Sequence, residues 1–376
     1  MPAPPAPPRI LVLGGYGAFG ARAVERLALT RDVALVVAGR NPARGEAFAA
    51  AVARRFDAPC SFVRLDAARL DGADLSALAP DVVINASGPF QAQDYRVARA
   101  AIAAGAHYID LSDASAFTLG IAALDAEARA AGVLVASGAS SVPSLSAAVA
   151  DHCAPRFTRL RAITTVISPG NSFDPGLATA RSILGTLGRP IPGFSGGRPV
   201  PRRGWQGLWR RAMPGLGGRW IGDCDAPDIV LFPGRYRGLE TVRVCAALEV
   251  GVFHLALWAA SGLVRMGLLR QPERLAAPML SIKRRLPWLG SDRGGMTVTL
   301  DGIGRDGKPL SVLWSLVARD GHGPFIPAIP ATIIARALLS GSLAARGAMP
   351  ALGLFALDDF RQAVADLAIS DREETL

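Results

Sequence analysis

Three glycines, spaced Gly15-x-Gly17-x-x-Gly20, close the segment Arg9–Gly20, RILVLGGYGAFG. Between a strand and a helix, this spacing folds a backbone cradle for a pyrophosphate. Gly15 permits the tight turn, Gly17 lets the backbone approach an anion with no Cβ in the way, and Gly20 lets the helix pack close on the strand. The N–H groups at the helix N-terminus then face the anion. The flanks fit: Ile10–Leu13 reads as a buried parallel strand and Ala21–Leu29 has helical spacing. Tyr16, Ala18 and Phe19 complete the cradle. A purely structural glycine turn is the alternative reading.

The second position with chemistry is Arg40, about twenty residues beyond the glycines, after the apolar strand Val33–Ala38. An acid at this point holds the ribose hydroxyls of NAD, whereas a guanidinium suits a 2′-phosphate through bidentate, charge-assisted bonds. Asn41 and Arg44 stand beside it, and Asp66-Ala67, after the third strand Ser61–Leu65, are placed for the adenine edge. NADP(H) is therefore the expected cofactor. An ordinary surface arginine is the alternative, since arginine supplies nearly all the positive charge of this chain.

Loops at the carboxyl ends of later strands face the nicotinamide half in open α/β sheets. After the fourth strand, Asp81–Ala86, come Ala86, Ser87, Gly88 and Pro89, small enough for close approach, with Phe90 as an apolar wall for substrate. The fifth strand, His107–Leu111, delivers Ser112 and Asp113. The sixth, Val133–Ser137, delivers Ser140 and Ser141 as neutral hydrogen-bond donors to substrate. Asp113 is the ionisable candidate for proton transfer, with Ser112 beside it. Its bland alternative is an N-cap for the helix expected at Ala116–Ala131. The histidines are dispersed, and no HExxH, GxSxG or paired cysteines are present, so no metal site is expected and hydrolase readings fall away.

These residues need elements to hold them. Strand–helix alternation from Ile10 to about Ala150 predicts an α/β fold, a Rossmann-like doubly wound parallel sheet. The chain divides into a Pro-rich, disordered lead-in over 1–8, a nucleotide-binding domain over 9–152, an α+β substrate and dimerisation domain over 153–325, and C-terminal helices over 326–376. Within the second domain, Ile229–Phe232, Thr241–Leu248, Met296–Gly302 and Leu310–Val317 read as strands. Pro190–Trp220 reads as a long irregular excursion, either a contact surface or a solvated loop. Thr332–Leu343 and Asp358–Ile369 read as helices.

The segments GGYGAFG, VVAGRNPARGEAF, DVVINASGPF, GAHYIDLSD and ASGASSVPSLS, in this order, resemble the saccharopine dehydrogenase-like family of NADP-binding oxidoreductases. The resemblance extends to Gly222–Tyr236 and Gly323–Phe355. It implies a Rossmann domain, an inserted α+β domain and a C-terminal helix that returns to the first domain, with hydride transfer as the class of activity. Two departures bear on the substrate. Many relatives follow the fifth strand with Asp-Leu-Ser-Gly-Glu, where this chain has Asp110-Leu111-Ser112-Asp113-Ala114. GASSVPS also stands where saccharopine-forming enzymes carry a Gly-x-Asp-Pro-Gly turn. The saccharopine substrate is therefore not transferred, and a small carbonyl, imine or activated alkene is expected instead. The lysines, Lys283 and Lys308, lie outside the first domain.

At 376 residues, half of them hydrophobic, the chain can fill two cores. A net charge of +10 comes with no recognition helix or aromatic RNA-binding signature, so no nucleic-acid partner is expected. Scattered cysteines and a leading MPAPPAPPR without an apolar stretch point to a cytoplasmic protein. Val250–Val264, VGVFHLALWAASGLV, is too short to span a bilayer. It reads as a core helix, as the contact of a homodimer, or as a weak anchor at the surface of the inner membrane. A membrane-peripheral or scaffold protein without turnover is the alternative to an enzyme.

Overall fold

The structure, a computed structural model, describes residues 6–376; of the lead-in expected over 1–8, residues 1–5 lie outside the described residues. The chain divides into two compact units. The first comprises the residues up to Ser112, Ala116–Ser141 and Phe325–Phe355. It is a seven-stranded, all-parallel sheet. Its strands are β1 (Arg9–Leu13), β2 (Ala34–Gly39), β3 (Cys60–Arg64), β4 (Val82–Asn85), β5 (His107–Asp110), β6 (Leu134–Ser137) and a returning strand, Gly347–Pro350. In space the order is returning strand, β6, β5, β4, β1, β2, β3.

Alternate residues of the strands feed two apolar layers. Ile10, Val12, Leu35 and Ile84 pack with helices α1 (Gly20–Ala28), α2 (Pro42–Phe56) and the late helix Ile329–Leu339. Leu11, Leu13, Val36 and Val83 pack with α3 (Gly72–Leu78), α4 (Arg96–Ala103) and the helical segment 121–130. Both faces are covered, which is why the strands read as continuous apolar runs. Arg336 of the late helix donates to the carbonyls of Arg26 and Leu27 at 3.2 and 3.0 Å, satisfying the end of α1.

The second unit holds residues 113–115, 142–324 and 356–376 around a mixed sheet. At its centre β7 (Phe157–Ser168) runs parallel to Thr241–Ala246 and antiparallel to Gly294–Gly304. Gly294–Gly304 pairs in turn with Pro309–Ala318, the hairpin read from the sequence.

Several expectations are corrected. Residues 142–152 belong with the second unit, as do 356–376, so the nucleotide-binding unit ends at Ser141 and resumes at Phe325. The C-terminal stretch is not helical throughout. Leu357–Ala363 is a helix, and Ile369–Thr375 is an edge strand of the mixed sheet. Its polar sequence, ISDREET, hid it, because its fixed contacts are polar: Asp371 accepts from the indole of Trp314 at 2.8 Å and from Arg361. Ile229–Phe232 is not a strand but part of the helix Asp228–Arg235. Ile229, Phe232 and Tyr236 are buried at helical spacing, which a four-residue window cannot separate from a strand. The excursion over 190–220 is partly ordered, with four two-residue strands and a hairpin, Trp209–Met213 with Gly217–Asp223.

Candidate cofactor and active site

The sheet order reverses at β1, which has β2 on one side and β4 on the other, and this is where open α/β sheets bind ligands. The glycine turn leaves β1 at this point. Gly14 takes a positive φ of 76°, and its N–H donates to the Ala38 carbonyl at 2.8 Å. A Cβ on Gly14 would sit 2.9 Å from the carbonyl carbon and oxygen of Ala86, so this turn and the β4 loop touch backbone to backbone. A Cβ on Gly20 would collide with the Gly14 carbonyl, so α1 starts where only glycine fits. The chain through Gly15, Tyr16, Gly17, Ala18 and Phe19 thus runs into the N-terminus of α1, whose first-turn N–H groups have no carbonyl within the helix. Tyr16 reaches sideways: its hydroxyl accepts from the Asn41 N–H at 2.9 Å and its ring carries the Arg44 guanidinium 5.5 Å from its centroid. The glycine turn and the β2–α2 turn are therefore fastened together.

Arg40 is exposed at the end of β2, and Arg64 ends β3 directly beside Gly39. With Leu65, Asp66 and Arg69 they line a cleft of about 290 Å³. None of these three arginines is in an ion pair among the described residues. Three guanidiniums around one small cleft are a donor set for a phosphate. Arg64 and Arg69 were not singled out in the sequence. Asn41 caps α2, its side chain accepting from the Arg44 N–H at 3.1 Å, and Asp66 turns the chain by accepting from Ala68 at 3.1 Å. Ala67 packs against the second apolar layer. One foreseen and one unforeseen arginine of this cleft give a test. Arg40→Ala and Arg64→Ala should each weaken NADPH about ten- to a hundred-fold and leave NADH nearly unchanged, in fluorescence titrations of both cofactors.

On the other side of β1, Asn85 is fully buried and orders the next loop. Its amide donates to the Tyr108 hydroxyl at 3.1 Å, and its oxygen accepts from the N–H and hydroxyl of Ser87 at 3.1 and 2.5 Å. The Gln93 amide ties back to the Ser87 and Pro89 carbonyls at 2.9 and 3.2 Å. Ala86–Pro89 is thus a fixed loop beside the glycine turn. Phe90, proposed as a substrate wall, is only 5 % exposed, its ring 5.3 Å from that of Phe117.

Asp110 gathers the ends of β5 and β6. It accepts from the N–H groups of Ser112 and Gly138, both at 2.9 Å, and from the Ser137 hydroxyl at 3.0 Å. Burial lifts its carboxyl to about 6 against these bonds. Ser112, Ser140 and Ser141 are all buried, and the Ser140 N–H turns back onto the Gly138 carbonyl at 2.8 Å.

Asp113 is exposed. Loss of hydration at its carboxyl raises it to about 6, and repulsion from Asp225 adds to this. The capping role considered for Asp113 belongs to Asp225, which accepts from the Ser115 hydroxyl at 2.6 Å and from the Ser115 N–H at 3.4 Å. Asp225 too is raised by burial, and the neighbouring Cys224 thiol is held protonated by burial and by the acids around it. Sequence reading missed Asp225, because nothing local links it to a helix more than a hundred residues earlier. His322, in its glycine-rich turn, holds the chain together, its ring accepting from the Ala368 N–H at 2.8 Å.

Residues 10–136 match the model of the saccharopine dehydrogenase NADP binding domain. The match covers about a third of the chain, from β1 to β6. The chain's fold matches that of apo saccharopine dehydrogenase (L-Glu forming) from Saccharomyces cerevisiae with a TM-score of 0.71, over 98 % of this chain and 100 % of that one, at 16 % identity. At that identity the likeness speaks for the fold. A short-chain dehydrogenase from Sphingobium yanoikuyae in complex with NADPH aligns over 35 % of this chain and 69 % of that one, with 20 % identity and a TM-score of 0.29. No curated protein matches the chain in sequence. Among the described residues no helix is long and apolar enough to cross a membrane, and no group of three or more His, Cys, Asp or Glu is placed to hold a metal ion. The residues of the first unit fit NADP(H): the glycine turn leaves no room for a Cβ at Gly14 or Gly20, and the arginine cleft matches a 2′-phosphate.

Proposed function

We propose that the chain is an NADP(H)-dependent oxidoreductase that moves a hydride to or from a small carbonyl, imine or activated alkene. The observation that carries this reading is the pairing, at one end of β1 and β2, of a glycine cradle with a cleft of three unpaired arginines. The cofactor, when bound, supplies the hydride, so the protein's work is positioning and proton handling. The cradle holds the pyrophosphate and Arg40, Arg64 and Arg69 hold the 2′-phosphate. The fixed loop Ala86–Pro89 seats the nicotinamide end. Asp113, three residues beyond the end of β5, is accessible and half-protonated near pH 6, as a general acid needs to be. In the reductive direction it delivers a proton to the oxygen, nitrogen or carbon left with negative charge.

An assay of NADPH oxidation against a panel of aldehydes, ketones, cyclic imines and enones tests the reading. Turnover of at least one class, with NADPH preferred to NADH, is the expected result. Tight NADPH binding with no oxidation by any member would instead favour a scaffold protein that has kept the nucleotide site.

A further inference from the structure

We propose that the second unit docks on a negatively charged lipid bilayer surface through the helix Gly251–Arg265 and the basic segment that follows it. The helix buries His254, Leu257 and Ser261. Its opposite line, Val252, Ala256, Ala259, Leu263 and Met266, keeps the i, i+4, i+7, i+11, i+14 spacing of one helical face and is exposed throughout. Val252 is 64 % exposed, Leu263 42 % and Met266 65 %, and the chain continues to Leu268 at 73 %. A surface helix ordinarily turns polar residues to water, and this one turns an apolar stripe. The concentration is local. Of the thirteen large apolar side chains that stand exposed among the described residues, nine lie between Val252 and Leu289, including Trp258 and Trp288.

Charge selects the occupant. The same stretch carries six cations, Arg265, Arg270, Arg274, Lys283, Arg284 and Arg285, against the single acid Glu273. Glu273 is engaged by Arg189 and Arg284 by Asp174, while Arg265, Arg270, Arg274 and Arg285 have no ion pair among the described residues. The hairpin beside the helix adds Arg210, stacked on Trp220, whose ring lies against Gly251. A second copy on this patch would bring two surfaces of the same strong charge together, whereas an anionic bilayer neutralises one. Apolar stripe, indoles and unpaired arginines together are the composition of an interfacial helix, and fifteen residues are too few to span.

The test is flotation of the full chain with vesicles of phosphatidylcholine alone, or with about a third phosphatidylglycerol, at low and high salt. Co-flotation is expected with the anionic vesicles only, falling as salt rises, with the tryptophan emission quenched by brominated lipid. The double change Leu263→Asp, Met266→Asp should cut partitioning at least tenfold, on the order expected for losing two buried apolar side chains. Arg265→Gln and Arg270→Gln should each cut it about fivefold. NADPH affinity and the melting temperature should be unchanged in the arginine variants, which separates this result from failure of the cofactor reading. Absence of anionic-vesicle binding at low salt, or partitioning indifferent to both sets of changes, overturns the proposal. So does a wild-type dimer, seen by light scattering, that ignores vesicles and is split by the double change, which would assign the stripe to a second copy.

Discussion

Asp113→Asn should lower turnover by a factor on the order of 10² to 10⁴ while NADPH affinity stays unchanged. The side chain keeps its size and loses only its proton, so the readout isolates acid catalysis from packing. The pH profile carries the sharper signature. With its carboxyl near 6, the wild-type residue is protonated below that pH and loses its proton above it. The reductive rate should therefore fall as pH rises through about 6, and the asparagine variant should lack that limb. Asp225→Asn provides the contrast. It removes the neighbouring charge that helps to raise Asp113, and the limb should move to lower pH rather than vanish. Full turnover in Asp113→Asn would leave the acid role to a hydroxyl or a backbone amide.

Gly20→Ala should abolish measurable NADPH binding and cost about 2–3 kcal/mol of stability. The new methyl would meet the Gly14 carbonyl oxygen, with its carbon 2.9 Å and the Gly15 Cα 3.0 Å away. Backbone surrounds it on the crowded side, so no side chain can swing aside. Helix α1 must lift from β1, taking its first-turn N–H groups with it. Gly132→Ala is a control: Gly132 also lies in the first unit and has a positive φ, but its added Cβ would meet nothing within 4 Å. It should cost only the backbone strain, on the order of 1 kcal/mol, and leave NADPH affinity intact. Thermal melts and cofactor titrations of both variants decide the matter. NADPH binding by Gly20→Ala at wild-type affinity would remove the glycine turn from the site.

The parts of the fold that announce themselves in the sequence are those in which one physical constraint acts over a short window. Strands buried on both faces give apolar runs, and the turn after β1 needs glycine at fixed intervals, so β1 to β6 and the cradle could be read directly. Arg40 was legible because it stands at a set distance from the glycines. Arg64 was not, since it enters the same cleft only through the pairing of β3 with β2. Asp225 meets Ser115 through tertiary folding alone. The returning strand, Gly347–Pro350, contains glycine and proline and has no alternation, so nothing local marks it as a strand. Ser140 and Ser141 show the opposite limit: their positions in the chain were legible, and their burial was not.

That returning strand ties the nucleotide unit to the order in which the chain is made. During synthesis β6 emerges with one edge bare, and the strand that covers it follows roughly two hundred residues later. Until then Leu134–Ser137 is an apolar edge open to any passing strand, a hazard that chaperones or the early collapse of β1–β5 must contain. A ribosome that stalls before Gly347 releases a sheet still open on that side. The cofactor loops, all encoded before residue 90, leave the ribosome long before the sheet that holds them is closed. NADPH present during translation can therefore act as a folding ligand, favouring the ordered first unit while its last strand is still to come.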